Sequence, residues 1–234
     1  MGTAEDQNCL TCRYENRRCN GRCDAFNKWE PKRSCRPIKI IGISGKMGVG
    51  KSTTAMRLNE VLPRSIRYAF ADLLKAEVSR LFGFPPEWCY NRKEEVINFH
   101  HMEEGESIPK EMTVRETLQW YGTDVIRARE PQRWIRQIVR TIRELHDYDY
   151  LIIEDVRFLN EAKFVKDSGG LLVRIEPYDG YIMPTKAVQH ISETELDDFQ
   201  GWNLKLRPGE GDVTASVLEI LTMLAKQACV RKIN

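Results

Sequence analysis

Apolar and polar residues along this chain form segments whose periods fit strands and helices in alternation. Residues 38–44, which read IKIIGIS, are typical of a buried strand. The segment after residue 52 places Ala55, Leu58 and Leu62 at helical spacing. Strand-like runs recur at 65–70, 149–155, 171–175 and 202–206, with helical patterns between them. This order predicts an α/β fold in which a parallel sheet carries helices on both faces.

Residues 83–112 interrupt this regular pattern. They are rich in Pro, Gly and charged residues and show little periodicity, which predicts a mobile, lid-like insertion. Thr113 and Glu116 then have the spacing of a capping box and predict the start of a helix. Arg115 lies in its first turn, where a cation is slightly unfavourable, so we expect an anion nearby.

Two features of the following helices bear on a binding site. Gly122 and Thr123 interrupt a helix, and Gly costs about 1 kcal/mol relative to Ala in such a place. We therefore expect close approach by a ligand or by another helix. Pro131 predicts a new helix with the proline at its first position. Trp134 follows on the inward stripe, and the sequence leaves open whether its ring belongs to the core or stacks on a ligand.

Composition limits the classes of protein to consider. The 234 residues, 41% of them hydrophobic, fit one α/β domain of ordinary size with a small appendage. The chain has no run of about 18 apolar residues, so we expect no membrane span. Its polar, acidic N-terminus does not resemble a secretory signal, which favours a cytoplasmic protein. A net charge of +2 is too small to indicate nucleic-acid binding.

Cysteines concentrate at the N-terminus, where Cys9, Cys12, Cys19, Cys23 and Cys35 fall within 36 residues. The pairs Cys9-x2-Cys12 and Cys19-x3-Cys23 resemble a small four-thiolate zinc knuckle, and Cys35 could replace one ligand. A disordered or redox-active tail is the alternative. We predict a Cys-rich tail over residues 1–37, which ends in a linker, and a folded domain over 38–234.

The strongest motif is GKMGVGKS at residues 45–52, directly after the first predicted strand. Glycines allow positive φ angles, so that successive N–H groups converge on a polyphosphate at the start of a helix. In this motif the lysine reaches the β and γ phosphates, and the serine hydroxyl binds Mg²⁺. The alternative is an ordinary Gly-rich turn. The predicted ATP-binding residues are Gly45, Lys46, Met47, Gly48, Val49, Gly50, Lys51, Ser52 and Thr53.

Two further groups fit a phosphate site. The strand-like run at 149–155 ends in Glu154 and Asp155, where a second acidic group meets Mg²⁺ beside a phosphate-binding loop. Either carboxylate could instead cap the helix predicted near Asn160. Lys75 lies on the polar side of a predicted helix, and could be a solvated lysine or a cation directed at a substrate phosphate.

Several blocks in order resemble the bacteriophage-type deoxynucleoside monophosphate (dNMP) kinases. They are the loop at 45–52, FADLLK at 70–75, LQWYGTD at 118–124, DVRFLNE at 155–161 and HISE at 190–193. The resemblance runs from about Ile40 to Leu206. It implies a P-loop NTPase fold with a five-stranded parallel sheet and a mobile lid, and transfer of the γ-phosphoryl group of ATP to a dNMP. Glu154 departs from the family's usual pair of Asp, and the kinase core does not need the Cys-rich tail.

The resemblance also implies roles for individual residues. The catalytic group would be Lys51, Asp155 and Arg157, with Ser52 and Asp155 as the Mg²⁺ ligands. Lys75 and Arg115, with Arg92 as a weaker candidate, would hold the acceptor phosphate; Gly122, Thr123 and Trp134 would shape the base and sugar pocket. The cofactors implied are Mg²⁺ with ATP, and the cysteine pattern adds a structural Zn²⁺ held by Cys9, Cys12, Cys19 and Cys23.

Other functions stay open at this point. One is a different small-molecule P-loop kinase, such as a thymidylate-only or dephospho-coenzyme A kinase. Another is a nucleotide-switched DNA-binding or packaging module that uses the cysteine knuckle. A homodimer, or a protein partner bound through the tail, is also compatible with the sequence, and a phage-encoded protein would act in the host cytoplasm.

Overall fold

The computed structural model describes residues 38–103, 106–182, 190–209 and 212–230. The predicted Cys-rich tail, with its four candidate zinc ligands, lies outside these residues. The chain divides into two compact units. We call Phe70–Trp134 the hairpin unit and the remainder of the described chain the sheet unit.

The helices and strands follow one another in chain order. They are β1 (Lys39–Gly45), α1 (Lys51–Val61), β2 (Ser65–Tyr68), α2 (Phe70–Phe82), α3 (Trp88–Asn91), β3 (Val96–Glu103), β4 (Glu106–Thr113), α4 (Val114–Gln119), a π-helix (Trp120–Arg127), α5 (Arg133–Glu144), β5 (Tyr150–Ile153), α6 (Leu159–Asp167), β6 (Leu171–Ile175), α7 (Ile191–Thr194), β7 (Leu204–Leu206) and α8 (Thr214–Val230).

The sheet unit is built on five strands among the described residues, in the order β2-β5-β1-β6-β7. Each neighbouring pair is parallel. The predicted α/β fold with a five-stranded parallel sheet flanked by helices is therefore confirmed. Because parallel strands end at the same edge, the turns that follow β1, β5 and β6 leave the sheet on one side.

Alternation along β1 explains how the sheet is covered. Ile41 and Ile43 are fully buried in a core that includes Leu58 of α1 and Ile220 of α8. Gly42 faces the other way, where a Cβ atom would lie only 2.7 Å from Cγ2 of Val165 in α6. Helices therefore pack on both faces of β1, as the strand pattern predicted.

The hairpin unit has its own small core of Val78, Phe84, Cys89, Ile97 and Val114. Strands β3 and β4 pair antiparallel, with Val96 opposite Thr113. The predicted lid-like insertion at 83–112 thus contains α3 and nearly all of a β-hairpin, neither of which the sequence analysis predicted. The alternation of apolar and polar residues from Ile97 to His100 is short, and His101 interrupts it, so the strand pattern is weak.

The helix after the hairpin follows the sequence closely at its start. Thr113 caps α4, and Glu116 bonds back to the Thr113 N–H, so the predicted capping box is confirmed. The helix then widens into a π-helix that contains Gly122. A Cβ atom at Gly122 would lie 2.6 Å from Cδ2 of Leu74 in α2, which confirms the predicted close approach and identifies the neighbour as a helix.

One predicted helix start is wrong. Pro131 does not occupy the first position of α5, which begins at Arg133. Pro131 lies in the preceding turn, where the Arg133 N–H donates to the carbonyl oxygen of Glu130 at 3.0 Å.

Candidate functional site

The turn between β1 and α1 is the glycine-rich loop, residues 45–52. Gly48 and Gly50 have φ angles of 82° and 94°, in the left-handed region that favours glycine. Gly50 is the N-cap of α1 and supplies no side-chain cap. The predicted positive φ angles at these two positions are thus present, and the loop delivers backbone N–H groups to the start of a helix, an arrangement suited to anions.

Lys51 places a buried cation at this loop. The residue is 9% exposed, and its Nζ donates to the carbonyl oxygen of Lys46 at 2.6 Å. Burial is the largest cause, and with the positive charge of Arg157 it lowers the pKa of Lys51 to about 8 against the opposite effect of Glu193 and Asp155. A partly desolvated ammonium group interacts strongly with an anion, because little solvent screens it.

A buried carboxylate from another part of the chain accepts a hydrogen bond from the loop. Glu193, 6% exposed, is the third residue of α7. Its Oε2 accepts from the Met47 N–H at 3.0 Å, and its Oε1 accepts from the Arg157 guanidinium. Lys46 Nζ donates in turn to the Glu193 carbonyl oxygen. The loop, Arg157 and the start of α7 are thus tied together through one residue.

Three more side chains complete this arrangement. Asp197 forms an ion pair with Lys46 and another, at 3.2 Å, with Arg174 of β6. Arg174 also donates to Ser44 Oγ at 3.1 Å. The Tyr181 hydroxyl donates to the Met47 carbonyl oxygen. The cations Lys46, Lys51, Arg157 and Arg174 therefore converge on the loop, and three of them pair with Glu193 or Asp197.

The two acidic residues that follow β5 lie near the start of this loop, because β5 pairs with β1 in the sheet. Asp155 is 8% exposed, and the next residue, Val156, donates its N–H to the Ile43 carbonyl oxygen of β1 at 3.0 Å. Glu154 pairs with Arg67 at 3.4 Å. Neither carboxylate caps α6, because the N-cap of that helix is Phe158. The capping alternative is therefore wrong.

The residues at this edge fit Mg²⁺ in type. Ser52 is exposed, and its hydroxyl and the Asp155 carboxylate are hard oxygen donors of the kind Mg²⁺ prefers. No group of three or more metal-binding side chains occurs among the described residues. Mg²⁺ commonly takes only one or two protein oxygens beside substrate phosphates, so such a pair is sufficient.

In the hairpin unit, the predicted phosphate-binding cations have partners of their own. Lys75 Nζ lies 2.9 Å from Asp72 and 4.0 Å from the centre of the Tyr90 ring. Arg115 Nε donates to Glu94 at 2.8 Å. Glu94 is thus an anion beside Arg115, as the position of Arg115 in the first turn of α4 predicted. Arg92 lies 5.7 Å from the Trp88 ring centre.

The predicted base and sugar residues lie near a polar network that the sequence analysis did not name. Tyr121, beside the buried Gly122 and half-buried Thr123, donates to Glu77 at 2.8 Å. Arg133 donates to both oxygens of Glu77, at 2.9 and 3.0 Å. Burial is the largest cause, and the bond to Glu77 is the second, of the rise in the pKa of Tyr121 to about 12. The hydroxyl therefore stays a donor at neutral pH.

Trp134 is 3% exposed. So little accessible ring surface favours the core interpretation over stacking on a ligand. Its assignment to the base and sugar pocket stays a prediction.

Comparison with known proteins now identifies the family. The sequence model described as deoxynucleotide monophosphate kinase matches residues 85–203, about half of the chain. The chain belongs to the deoxynucleotide monophosphate kinase family. It is therefore a kinase, a phosphotransferase that acts on nucleotides, as the resemblance in the sequence implied. The match begins after the glycine-rich loop, so that loop is independent support for the same reading.

Similar proteins include a viral relative and a bacterial protein of known structure. A protein of Acanthamoeba polyphaga mimivirus named "Putative deoxynucleotide monophosphate kinase" is 29% identical over 188 residues, covering 71% of this chain and 86% of the relative. The tunicamycin resistance protein of Deinococcus radiodurans is 16% identical with a TM-score of 0.41, covering 80% of this chain and 95% of that one. That likeness is too low to bear on function. None of the helices formed by described residues is long and apolar enough to cross a membrane.

Proposed function

We propose that this kinase transfers the γ-phosphoryl group of ATP to a deoxynucleoside monophosphate and releases ADP and the diphosphate. The observation that carries the proposal is the glycine-rich loop with buried Lys51 and three further cations around it, in a chain of the dNMP kinase family. The thymidylate-only and dephospho-coenzyme A alternatives differ in the acceptor, and the experiment below separates them.

The donor side of the reaction follows from the loop. Backbone N–H groups of residues 45–52 and the N-terminus of α1 would bind the β and γ phosphates of ATP. Lys51, as the ammonium ion, would lie against the same phosphates. Ser52 and Asp155 would hold Mg²⁺, which when bound neutralises charge on the donor phosphates.

The acceptor side would use the cations of the hairpin unit. Lys75 and Arg115 already bind carboxylates at 2.9 and 2.8 Å, and a phosphate presents oxygen acceptors of similar geometry and greater charge. An acceptor phosphate could therefore replace Asp72 and Glu94, with Arg92 as an additional contact. Gly122, Thr123 and Trp134 are proposed to shape the pocket for base and sugar.

Transfer itself requires little covalent chemistry from the protein. The γ-phosphoryl group passes through a transition state whose charge is spread over its oxygens, so catalysis consists mainly of positioning and charge neutralisation. Arg157, close enough to Lys51 to lower its pKa, is the side chain we assign to that charge together with Lys51.

The test is an acceptor panel. Purified protein, ATP and Mg²⁺ are incubated separately with each common deoxynucleoside and ribonucleoside monophosphate and with dephospho-coenzyme A, and products are separated by chromatography. We expect diphosphates from deoxynucleotides that include at least one other than thymidylate. Product from thymidylate alone, or from dephospho-coenzyme A alone, would support the corresponding alternative.

Two variants connect the panel to the site. Lys51→Ala should abolish transfer with the fold intact, because the loop loses its buried cation. Arg57→Ala is the matched control, since Arg57 lies on the same helix, is exposed and pairs with Glu60 at 2.9 Å. Turnover by Lys51→Ala at the wild-type rate would overturn the role given to the loop.

We also propose that Cys9, Cys12, Cys19 and Cys23 hold a structural Zn²⁺. The support is their spacing, C-x2-C and C-x3-C. Elemental analysis of the purified full chain should find one zinc per molecule, and a Cys9→Ser and Cys12→Ser double variant should lose it. Zinc content near zero in the wild type would refute this proposal without affecting the kinase assignment.

A further inference from the structure

Residues 190–197 carry acids at alternating positions, and we call this segment the acidic clamp. Glu193 bonds to the Met47 N–H and to Arg157. Glu195 accepts from the Leu159 N–H at 2.7 Å. Asp197 pairs with Lys46 and Arg174. Each carboxylate thus contacts a different part of the sheet unit's phosphate-binding edge or of the turn beside it.

The position of Glu193 is fixed from several directions. His190 caps the turn, with its Nδ1 accepting from the Ser192 N–H at 3.2 Å. The Glu193 N–H donates to the His190 carbonyl oxygen at 2.8 Å. Lys46 bonds to the Glu193 carbonyl oxygen. The side chain of Glu193 is 2% exposed and that of Arg157 is 30% exposed, so a rigid, buried carboxylate holds a more accessible guanidinium.

We propose that Glu193 is a positioning residue for phosphoryl transfer, which holds the Arg157 guanidinium in place beside the glycine-rich loop. The inference rests on the proposed function. An arginine side chain has many rotamers, so an unrestrained Arg157 would spend much of its time elsewhere. Groups that stabilise a transition state are effective when their orientation is set before the reaction.

A second possible role of Glu193 would have the opposite effect on ATP binding. A carboxylate that accepts a loop N–H could instead occupy a place that a phosphate of ATP needs, and would then have to move on binding. The burial of the Glu193 side chain and its two contacts favour a fixed position, because a move of the carboxylate would break the ion pair with Arg157 and the bond from the Met47 N–H. A variant without the Glu193 charge distinguishes the two roles, because kcat falls if Glu193 positions Arg157 and ATP binds more tightly if Glu193 obstructs a phosphate.

Glu193→Gln is the direct test, because glutamine keeps the shape and can still accept from the Met47 N–H but cannot form an ion pair. We expect kcat to fall about 10- to 100-fold, as misplacement of a catalytic group does, while the Kd for ATP and the KM for the acceptor stay within threefold. Tighter ATP binding with kcat retained would overturn the inference, as would kinetics equal to wild type.

A double-mutant cycle shows whether Glu193 acts through Arg157. If it does, adding Glu193→Gln to Arg157→Ala should change kcat less than threefold further. Losses that multiply would overturn the inference. Asp198→Asn is the matched control, since it removes an exposed carboxylate one residue beyond the clamp and should leave kcat unchanged.

The design keeps the inference separate from the proposed function. Wild-type protein that transfers no phosphoryl group would overturn both, whereas an active wild type with an equally active Glu193→Gln would overturn the inference alone. Thermal unfolding shows whether each variant is folded. If Glu193→Gln does not fold, Glu193→Asp provides the test, because the shorter side chain keeps the charge but cannot reach both the Met47 N–H and Arg157, and kcat should fall in the same way.

Discussion

Lys51 is a buried ammonium group whose protonation changes near physiological pH. Burial lowers its pKa to about 8, so in the free protein it is mainly charged at pH 7 and mainly neutral at pH 9. A terminal phosphate has its second pKa near 6 and is fully ionised in that range. We therefore predict that ATP affinity falls as pH rises through about 8.

Isothermal titration of ATP between pH 7 and 9.5 measures this effect. Circular dichroism at each pH is the control, because it shows whether the fold persists. An affinity that stays constant to pH 9.5 would contradict the role of the Lys51 charge.

Glu161 supports the turn that carries Arg157. It is 1% exposed and accepts from the Arg157 and Phe158 N–H groups at 2.8 and 3.1 Å. Because Glu161→Ala leaves buried donors without this acceptor, we expect the free energy of unfolding to fall by about 1–3 kcal/mol. Urea denaturation measures it. Glu219→Ala, at an exposed position on α8, should change stability much less, and equal losses in both variants would refute this account.

At the residue scale, the sequence predicts groups that are contiguous and misses those that meet through the fold. Lys51, Gly48 and Gly50 are recognisable because one short motif contains them. Glu193 and Arg174 contact the loop region across 146 and 130 residues. Such contacts leave no local pattern, and HISE at 190–193 entered only as a block of the resemblance with no role attached.

At the scale of elements, β1 and α6 approach closely because Gly42 has no side chain. A Cβ atom there would lie 2.7 Å from Cγ2 of Val165 and 3.1 Å from Cγ2 of Val156, two buried β-branched side chains with little freedom to move. We predict that Gly42→Ala lowers the free energy of unfolding by about 1–3 kcal/mol.

Thermal or urea denaturation measures this difference. Gly209→Ala is the matched control, since no atom of the described residues lies within 4 Å of a Cβ atom there. A Gly42→Ala protein as stable as wild type would show that the strand and helix can separate slightly without cost.

The sequence predicts the elements of the sheet unit better than those of the hairpin unit. Strands β1, β5 and β6 are short apolar runs buried on both faces, and their pattern is easy to recognise. In β3 the alternation of apolar and polar residues is short, and β4 contains three charged residues and Pro109, so the two strands resemble a loop. The π-helix at Trp120–Arg127 is also hidden, because a change in helix width produces no distinct residue pattern, although Gly122 marks the contact with Leu74.

At the scale of the whole molecule, the candidate donor and acceptor residues belong to different units. The glycine-rich loop is in the sheet unit, whereas Lys75 and Arg115 are in Phe70–Trp134. We therefore predict that Arg115→Ala raises the acceptor KM, lowers kcat or both, while the Kd for ATP stays unchanged. Steady-state kinetics and ATP titration measure the two effects separately.

Arg80→Ala is the control for this prediction, because it removes an exposed cation from the last turn of α2 in the same unit. An unchanged acceptor response in Arg115→Ala would remove Arg115 from the acceptor site. A weakened affinity for ATP would contradict the assignment of Arg115 to the acceptor and not to the donor.

The most direct test of the central claim follows the phosphoryl group itself. Wild-type protein is mixed with Mg²⁺ and ATP labelled on the γ phosphate, together with each of the four deoxynucleoside monophosphates in turn, and the label is traced among the products. We predict that label enters the β position of at least one deoxynucleoside diphosphate, in equal amount to the ADP formed. Label that stays in ATP, or appears only as inorganic phosphate, with all four acceptors would contradict the account.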